Sequence, residues 1–178
     1  MSVADGRRAR GEATRGELLD AVRRLVARGG LAAVSHRAVA AEAGVAKTSV
    51  AYHFATVDGL LAAALARETD ALLAAVPADG ADLSWLAGRL VATFAADPDA
   101  VRAGYELHLA AGHRPALRPS AQRWVQLLTD LAAAHTTDPD RVQAAVAVVD
   151  GWAVQCLVSG AAPDRAALER SLAVVLHA

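Results

Sequence analysis

The sequence predicts an all-α protein of about nine helices, and three observations support this fold class. More than half of the 178 residues, 54%, are hydrophobic, so a sizeable core can form. No stretch alternates apolar and polar residues in the way of a half-buried strand. Apolar residues instead recur at helical spacing between capping residues, glycines and prolines, which mark helix starts and ends.

The first predicted helix begins near Thr14, because Thr14 and Glu17 have the spacing of a capping box. It ends at Gly29, where a glycine just past the last turn is the usual terminator. We expect the preceding residues to form a short mobile arm whose basic side chains are Arg7, Arg8 and Arg10.

Residues 35–54 predict two short helices joined by a tight turn. Ser35 can cap the first of them, and Gly44 suits the turn because a positive φ is usually needed there. The second short helix is expected to run from about residue 46 to residue 53. This outline is typical of a helix-turn-helix, which lays its second helix in the major groove of DNA.

Six more helices follow in the prediction. Thr56 can cap a long helix that ends at Pro77, and residues 77–82 form a turn-rich break. The other five are expected at about 83–96, 100–111, 115–135, 138–159 and 164–177. The sequence therefore divides into a three-helix unit, residues 1–55, and a helical body, residues 56–178.

The formal net charge of −1 is unevenly distributed along the chain. Residues 1–60 contain nine basic and six acidic side chains, a balance of +3, and the remainder has nine basic and thirteen acidic ones, a balance of −4. A basic N-terminal part attached to an acidic body fits a partner that carries phosphates.

Several other classes of protein are disfavoured. The single cysteine, Cys156, rules out a disulfide framework and a thiolate zinc site, and suits a reducing cytoplasm. His108 and His113 lie five residues apart around Gly112, with no carboxylate or thiol placed to complete a metal site. No nucleophile and base are paired and no glycine-rich phosphate loop is present, so we expect neither an enzyme nor a bound cofactor.

The segment from Val142 to Ala162 is apolar and about long enough to cross a bilayer. Asp150, Gln143 and Gln155 interrupt it, and no basic cluster flanks it closely. These interruptions favour a buried helix or a helix in a protein interface, and we expect no association with a membrane.

The spaced set of residues over positions 14–61 resembles the TetR family of bacterial transcriptional regulators. It comprises Thr14-Arg15, Leu18-Leu19, Ala21, Leu25, Gly29, Ser35, Val39-Ala40, Ala43-Gly44-Val45, Tyr52-His53-Phe54 and Leu60-Leu61. The resemblance implies a DNA-binding domain over residues 1–55 and a ligand-binding and dimerisation domain over residues 56–178. It also implies a homodimeric repressor in the cytoplasm, which binds a palindromic operator on double-stranded DNA and is released by a small-molecule inducer.

The resemblance further implies roles for single residues in the helix-turn-helix. Side chains at the start of the third helix would contact base edges and phosphates. A side chain in the first turn of the second helix would contact a guanine, and other side chains would donate hydrogen bonds to phosphates. The expected DNA-binding residues are Thr14, Ser35, Arg37, Lys47, Thr48, Ser49, Tyr52 and His53. Thr14 and Ser35 are also explained as helix caps, Tyr52 as a packing residue at the rim and Arg37 as a solvated surface charge.

Two departures from the family pattern leave a second hypothesis open. Ala51 stands where family members usually have a first tyrosine, and Val57 where they often have a lysine. Two phosphate contacts are therefore expected to be missing, which flattens the salt dependence of binding. The alternative is a helical ligand-binding or interaction protein whose helix-turn-helix does not read sequence.

In the helical body, we expect the ligand to contact the rare large residues. These are Trp85, Phe94, Tyr105, His108, Trp124 and Trp152. The competing explanation is that they belong to the core or to a dimer interface, since the helices near 138–159 and 164–177 are expected to pair between two subunits. The small number of aromatic residues favours an inducer that is not a large polyaromatic compound.

Overall fold

The computed structural model describes residues 3–77 and 81–177, and over these ranges the chain is helical with no strand. The helices are α1 (Val3–Gly29), α2 (His36–Ala43), α3 (Lys47–His53), α4 (Val57–Ala75), α5 (Leu83–Ala96), α6 (Pro98–Ala110), α7 (Arg118–Ala133), α8 (Pro139–Ser159) and α9 (Arg165–His177). Two short 3₁₀ helices, Leu31–Ala33 and Pro115–Leu117, precede α2 and α7. The predicted all-α class is confirmed, whereas residues 78–80 of the predicted break lie outside the described residues.

The start of the first helix differs from the prediction. Helix α1 begins at Val3, so the prediction that Thr14 caps it is wrong, and the residues expected to form a mobile arm are its first turns. These residues include alanine, arginine and glutamate, which are good helix formers, and contain no proline. A helix that is already nucleated can therefore extend through them, and a capping-box pattern does not make it begin there.

The chain forms two compact units, the first of which comprises residues up to Glu68 together with Arg102–Ala121. Its core is built around α1, α2, α3 and the first half of α4, with residues 103–121 packed on them. The largest fully buried side chains in this core are Leu18, Val22, Val26, Val39, Val50, Leu60, Leu61, Leu107 and Leu117. This packing division does not coincide with the predicted boundary at residues 55 and 56, because the apolar face of early α4 is buried in the first core.

Three arginines connect the later segments of the first unit to α1 and to the start of α4. Arg67 of α4 donates to the carbonyl of Gly16 at 3.0 Å and pairs with Asp20 of α1 at 2.6 Å. Arg102 of α6 donates to the carbonyl of Ala27 near the end of α1, and Arg114 pairs with Asp58 in the first turn of α4. The orientation of α1 is thus tied to both α4 and α6.

The second unit comprises Thr69–Val101 and Gln122–Ala178. Leucine and valine side chains of α5, α7, α8 and α9 make up most of its core, together with Leu72 of α4. Asp82 caps α5 by accepting from the Trp85 amide at 2.6 Å, and Asp138 caps α8 by accepting from the Asp140 amide. Arg165 of α9 joins α5 through the Ser84 hydroxyl at 2.7 Å.

Helix α8 is, among the described residues, the single helix that is long and apolar enough to cross a membrane. The bent pair formed by α3 and α4 passes the same test only if both helices are counted as one span broken by a 69° bend. Only 17% of the most apolar window of α8 is buried within this chain. Much of its apolar surface is therefore exposed in the isolated subunit.

Candidate functional site

The second short helix of the first unit begins at a side-chain cap. The Ser35 hydroxyl accepts a hydrogen bond from the Ala38 amide at 3.1 Å, with Ser35 itself in an extended conformation. This is the capping role that the sequence left as an alternative for Ser35. Ser35 is exposed, and Arg37 in the first turn of α2 is exposed beside it. A contact from either residue to DNA stays a prediction.

A glycine turn joins α2 to α3. Gly44 has φ 67° and ψ 27°, the left-handed conformation that costs a glycine little and a residue with a Cβ more. The Val45 amide then donates to the Ala40 carbonyl at 3.0 Å, as in a Schellman-type helix end. Val45 is partly buried against the core, and the tight turn that the sequence predicts lies between α2 and α3.

Helix α3 presents polar side chains on one side and apolar ones on the other. Val50 is fully buried and Phe54, which follows the last turn, is 5% exposed. Lys47 and Thr48 are exposed in the first turn, and Ser49 is partly exposed. The exposed side of α3 therefore begins with a cation and two hydroxyls, which can donate to phosphate oxygens and base edges.

The far end of α3 carries an exposed aromatic pair. Tyr52 is 85% exposed. The ring of His53 meets it edge-on, with 5.2 Å between the ring centroids. Both residues were predicted to donate to phosphates, and their position at the surface leaves them accessible to do so.

The sequence did not indicate two contacts that fix the position of α3. The His36 Nε2–H donates to the Phe54 carbonyl at 2.9 Å, and the hydrogen must be on Nε2 because a carbonyl can only accept. The Arg15 guanidinium of α1 lies over the Phe54 ring, 4.5 Å from its centroid. No local sequence pattern at His36 or Arg15 indicates these contacts, because Phe54 is distant from both residues in the sequence.

A three-residue ion cluster joins α1 to α2. Glu42 accepts from the Arg24 Nε at 2.7 Å and also from Arg28. The hydrogen bonds from Arg28 and Arg24 hold the pKa of the Glu42 carboxyl below its ordinary value of 4.5. The cluster also engages two of the basic groups in the N-terminal part, which lowers the number of cations free to meet DNA.

Acid is expected to weaken this cluster. Because the pKa of Glu42 is lower in the folded protein than in the unfolded chain, its contribution to stability is full above the ordinary pKa of 4.5 and is lost as the pH falls through the lowered folded pKa. We expect Glu42→Gln to lower the urea midpoint at pH 7 but to match the wild type at a pH below the lowered pKa. Glu12→Gln, which changes an exposed glutamate of α1, is the control; a pH-independent difference for Glu42→Gln would contradict this assignment.

Thr14 departs from the sequence-based expectation for the interface, whereas Ala51 and Val57 agree with it. Thr14 lies inside α1 and is partly exposed, so it offers no free helix-terminal amides to a phosphate. Ala51 is exposed, and Val57 packs partly against the first core. Neither Ala51 nor Val57 has a side chain that can bind a phosphate, as expected. Arg8 and Arg10 are exposed on α1, and the side chain of Arg7 lies outside the described residues.

Four of the predicted ligand residues occur in the second unit. The rings of Phe94 in α5 and Trp152 in α8 meet edge-on, with centroids 5.4 Å apart. The Trp124 indole of α7 donates to the Asp150 carboxylate of α8 at 3.4 Å, a contact that the sequence did not indicate. Trp85, Trp124 and Trp152 are partly buried around the second core. The structure thus brings aromatic faces and one carboxylate to neighbouring helices.

A cavity of about 10 Å³, partly open to solvent, occurs in the same unit. Its walls are Leu86, Leu128, Ala132, Ala145, Val146, Val149 and Leu172, so the predicted ligand residues do not line it. The volume is below the roughly 300–1,000 Å³ of typical ligand pockets. An aromatic ligand would need side chains of this core to move.

The other two predicted ligand residues, Tyr105 and His108, lie one turn apart on α6 and belong to the first unit. Both are partly buried, and the Nδ1 atom of His108 is buried with no hydrogen-bond partner among the described residues. A buried polar atom without a partner is uncommon in proteins, and a ligand contact at His108 stays a prediction.

The described residues contain no group of three or more histidine, cysteine, aspartate or glutamate side chains that could hold a metal ion. Cys156 of α8 is partly buried, and this burial raises the pKa of its thiol. A thiol with a raised pKa is a poor nucleophile at neutral pH.

The capped α2, the glycine turn and the exposed face of α3 together define a helix-turn-helix DNA-binding regulator. Two family models match the chain: that of the bacterial regulatory proteins of the tetR family over residues 18–64, and that of the tetracyclin repressor-like C-terminal domain over residues 78–178. The chain belongs to the TetR family of bacterial transcriptional regulators. Members of this family are transcriptional regulators and not enzymes.

Solved structures of similar sequence share this fold. A TetR family member from Streptomyces coelicolor A3, SCO1917, is 41% identical with a TM-score of 0.78, and the match covers 92% of this chain and 98% of that one. The multidrug binding protein EbrR complexed with ethidium is 40% identical with a TM-score of 0.74, at the same coverage of 92% and 98%. EbrR complexed with proflavin is 41% identical with a TM-score of 0.67, covering 91% and 99%. A comparison with curated proteins found no match.

Proposed function

We propose that this protein is a cytoplasmic repressor that binds a palindromic operator as a homodimer and leaves it when a small-molecule inducer binds. The observation that carries the proposal is the exposed polar face of the helix-turn-helix. Arg37, Lys47, Thr48 and Tyr52 are all exposed along it, while the opposite side of α3 is buried. Such a face is suited to the major groove, because it combines cations with hydroxyl donors.

Each side chain of this face has a proposed role. Lys47, Thr48 and Ser49 contact base edges and phosphates from the N-terminal turn of α3, the part of a recognition helix that meets base edges. Arg37 reads a guanine with its forked donors, and Tyr52 and His53 donate to phosphates. Ser35 adds a phosphate contact through its exposed position at the start of α2.

Helices α8 and α9 are the proposed dimer interface. Val154 and Val158 of α8 are 42% and 83% exposed, and Val174 of α9 is 67% exposed. Large apolar side chains exposed along two packed helices favour burial against a second copy, since contiguous apolar patches mark interaction sites. The low burial of α8 within one chain is explained in the same way.

The proposed ligand is a planar aromatic cation. EbrR, a relative of about the same length, is complexed with ethidium and proflavin, which are dyes of this chemistry. The aromatic faces of Trp124 and Trp152 and the Asp150 carboxylate suit such a compound, because cations bind favourably over aromatic rings. This proposal replaces the expectation, drawn from the small number of aromatic residues, that the inducer is not a large polyaromatic compound.

Titration with proflavin tests the ligand proposal. We expect proflavin to quench the fluorescence of the tryptophans, which all lie in the second unit, and an anionic dye of similar size to leave it unchanged. Trp152→Leu is expected to weaken binding by roughly 2-fold to 13-fold, since a well-oriented aromatic pair contributes about 0.5–1.5 kcal/mol. Tyr52→Leu, a change in the DNA-binding unit, is the control. Equal affinity for the two dyes would argue against a cation preference.

Selection of bound sequences from a random duplex pool at near-physiological salt tests the DNA-binding proposal. A recovered palindrome, with half-sites about one helical turn or slightly more apart, is the expected result. Recovery of no motif, with weak binding that vanishes as salt is added, would contradict it. That outcome would favour the alternative of a helical ligand-binding or interaction protein. Ala51 and Val57 support this alternative because neither side chain can donate a hydrogen bond to a phosphate.

A further inference from the structure

The first turns of α1 form a basic helical extension that the helix-turn-helix itself does not need. Helix α1 begins at Val3, but among its described side chains the first that is buried is Leu18. Arg8 and Arg10 are exposed on the extension. Because the extension is helical, each arginine has a defined direction relative to the rest of α1.

Arg15 shows which face of α1 is turned toward the end of α3. Its guanidinium lies 4.5 Å from the centroid of the Phe54 ring, and Phe54 directly follows the exposed Tyr52 and the partly exposed His53. A helix turns by about 100° and rises about 1.5 Å per residue, so Arg8 points within about 20° of Arg15 and lies about 10.5 Å further along the axis. By the same geometry, Arg10 points about 140° away from Arg15.

We infer that Arg8 binds a phosphate of the DNA backbone beside the phosphates contacted by Tyr52 and His53. The inference rests on the proposed DNA-binding function. It adds the first turns of α1 to the protein surface that contacts DNA. Charge supports it: Arg24 and Arg28 both pair with Glu42, which makes them less available to DNA, and Arg8 is an exposed cation on the face of α1 that is turned toward the end of α3. Such a contact offsets in part the phosphate donors missing at Ala51 and Val57, and carries no base specificity.

The test compares Arg8→Gln with Arg10→Gln on the operator recovered by selection. Both changes remove one positive charge from the same exposed helix, and glutamine has nearly the helix propensity of arginine. Fluorescence anisotropy across a series of KCl concentrations measures the slope of log K against log salt. For Arg8→Gln we expect the slope to become shallower by about 0.9 per subunit, or about 1.8 per dimer, with the selected motif unchanged. Arg10→Gln is expected to keep the wild-type slope.

Two outcomes would overturn the assignment while leaving the proposed function intact. An Arg8→Gln protein with the wild-type slope would show that the extension does not reach DNA. Equal losses for Arg8→Gln and Arg10→Gln would show a general attraction and no positioned contact. If the wild-type protein itself selected no motif, the proposed function would fail first, and that failure is distinguishable because it precedes any comparison of variants.

Discussion

A protein that carries Val158→Asp and Val174→Asp is expected to be a monomer that no longer binds the operator. Val158 of α8 and Val174 of α9 are the most exposed valines of the proposed dimer interface, at 83% and 67%. In a two-fold interface each change occurs twice, so four carboxylates would meet at an apolar surface. Burying charges without partners costs several kcal/mol each, more than such an interface can tolerate.

Sedimentation at micromolar protein measures the subunit association, and anisotropy measures operator binding. The control carries Leu109→Asp and Val125→Asp, which place the same two charges at exposed apolar positions of α6 and α7. We expect the control to stay dimeric and to bind DNA. A wild-type protein that sediments as a monomer, or a Val158→Asp, Val174→Asp protein that stays dimeric, would contradict the interface and with it the model of two half-sites.

Arg37→Ala is expected to reduce operator affinity sharply and to relax selectivity at one base pair of each half-site. A bidentate contact from arginine to guanine contributes about 1–3 kcal/mol of discrimination. Two half-sites therefore lose about 2–6 kcal/mol, which corresponds to roughly 30-fold to 10⁴-fold in affinity. Arg37 is exposed in the first turn of α2, where the change removes no packing.

Binding of the Arg37→Ala protein to the operator and to operators altered at single positions tests this assignment. The control is Arg89→Ala, which removes an equal charge from an exposed position of α5 in the other unit. We expect Arg89→Ala to bind like the wild type. If Arg37→Ala weakened binding to every sequence by the same factor, Arg37 would be a phosphate contact and not a base contact.

The helix-turn-helix could be predicted from sequence because its signals are local. Ser35 caps α2 through an amide three residues away, and Gly44 adopts the left-handed conformation that the turn requires. The observed bounds, His36–Ala43 and Lys47–His53, agree with the prediction within one residue. The exposed and buried sides of α3 follow from helical periodicity, so the accessibility of Lys47 and Tyr52 could also be anticipated.

The contacts that hold this motif in place could not be predicted. His36 meets the Phe54 carbonyl and Glu42 meets Arg24, each across 18 residues of sequence. A polar residue at such a position is equally compatible with solvation, and only the packing of the helices selects its partner. The start of α1 was predicted wrongly for a related reason. A capping pattern favours the start of a helix, but it does not stop a helix from propagating through it.

By itself, the sequence determined the all-α class, the helix-turn-helix and the family, because periodicity, caps and spaced motifs act within a few turns of chain. The tertiary structure decided which arginines pair with Glu42. It also decided that early α4 and Arg102–Ala121 pack with the DNA-binding helices, leaving Tyr105 and His108 in a different unit from the tryptophans. These outcomes depend on which apolar faces are buried together. That burial is decided by contacts between segments that are far apart in the chain, so local sequence patterns do not reveal it.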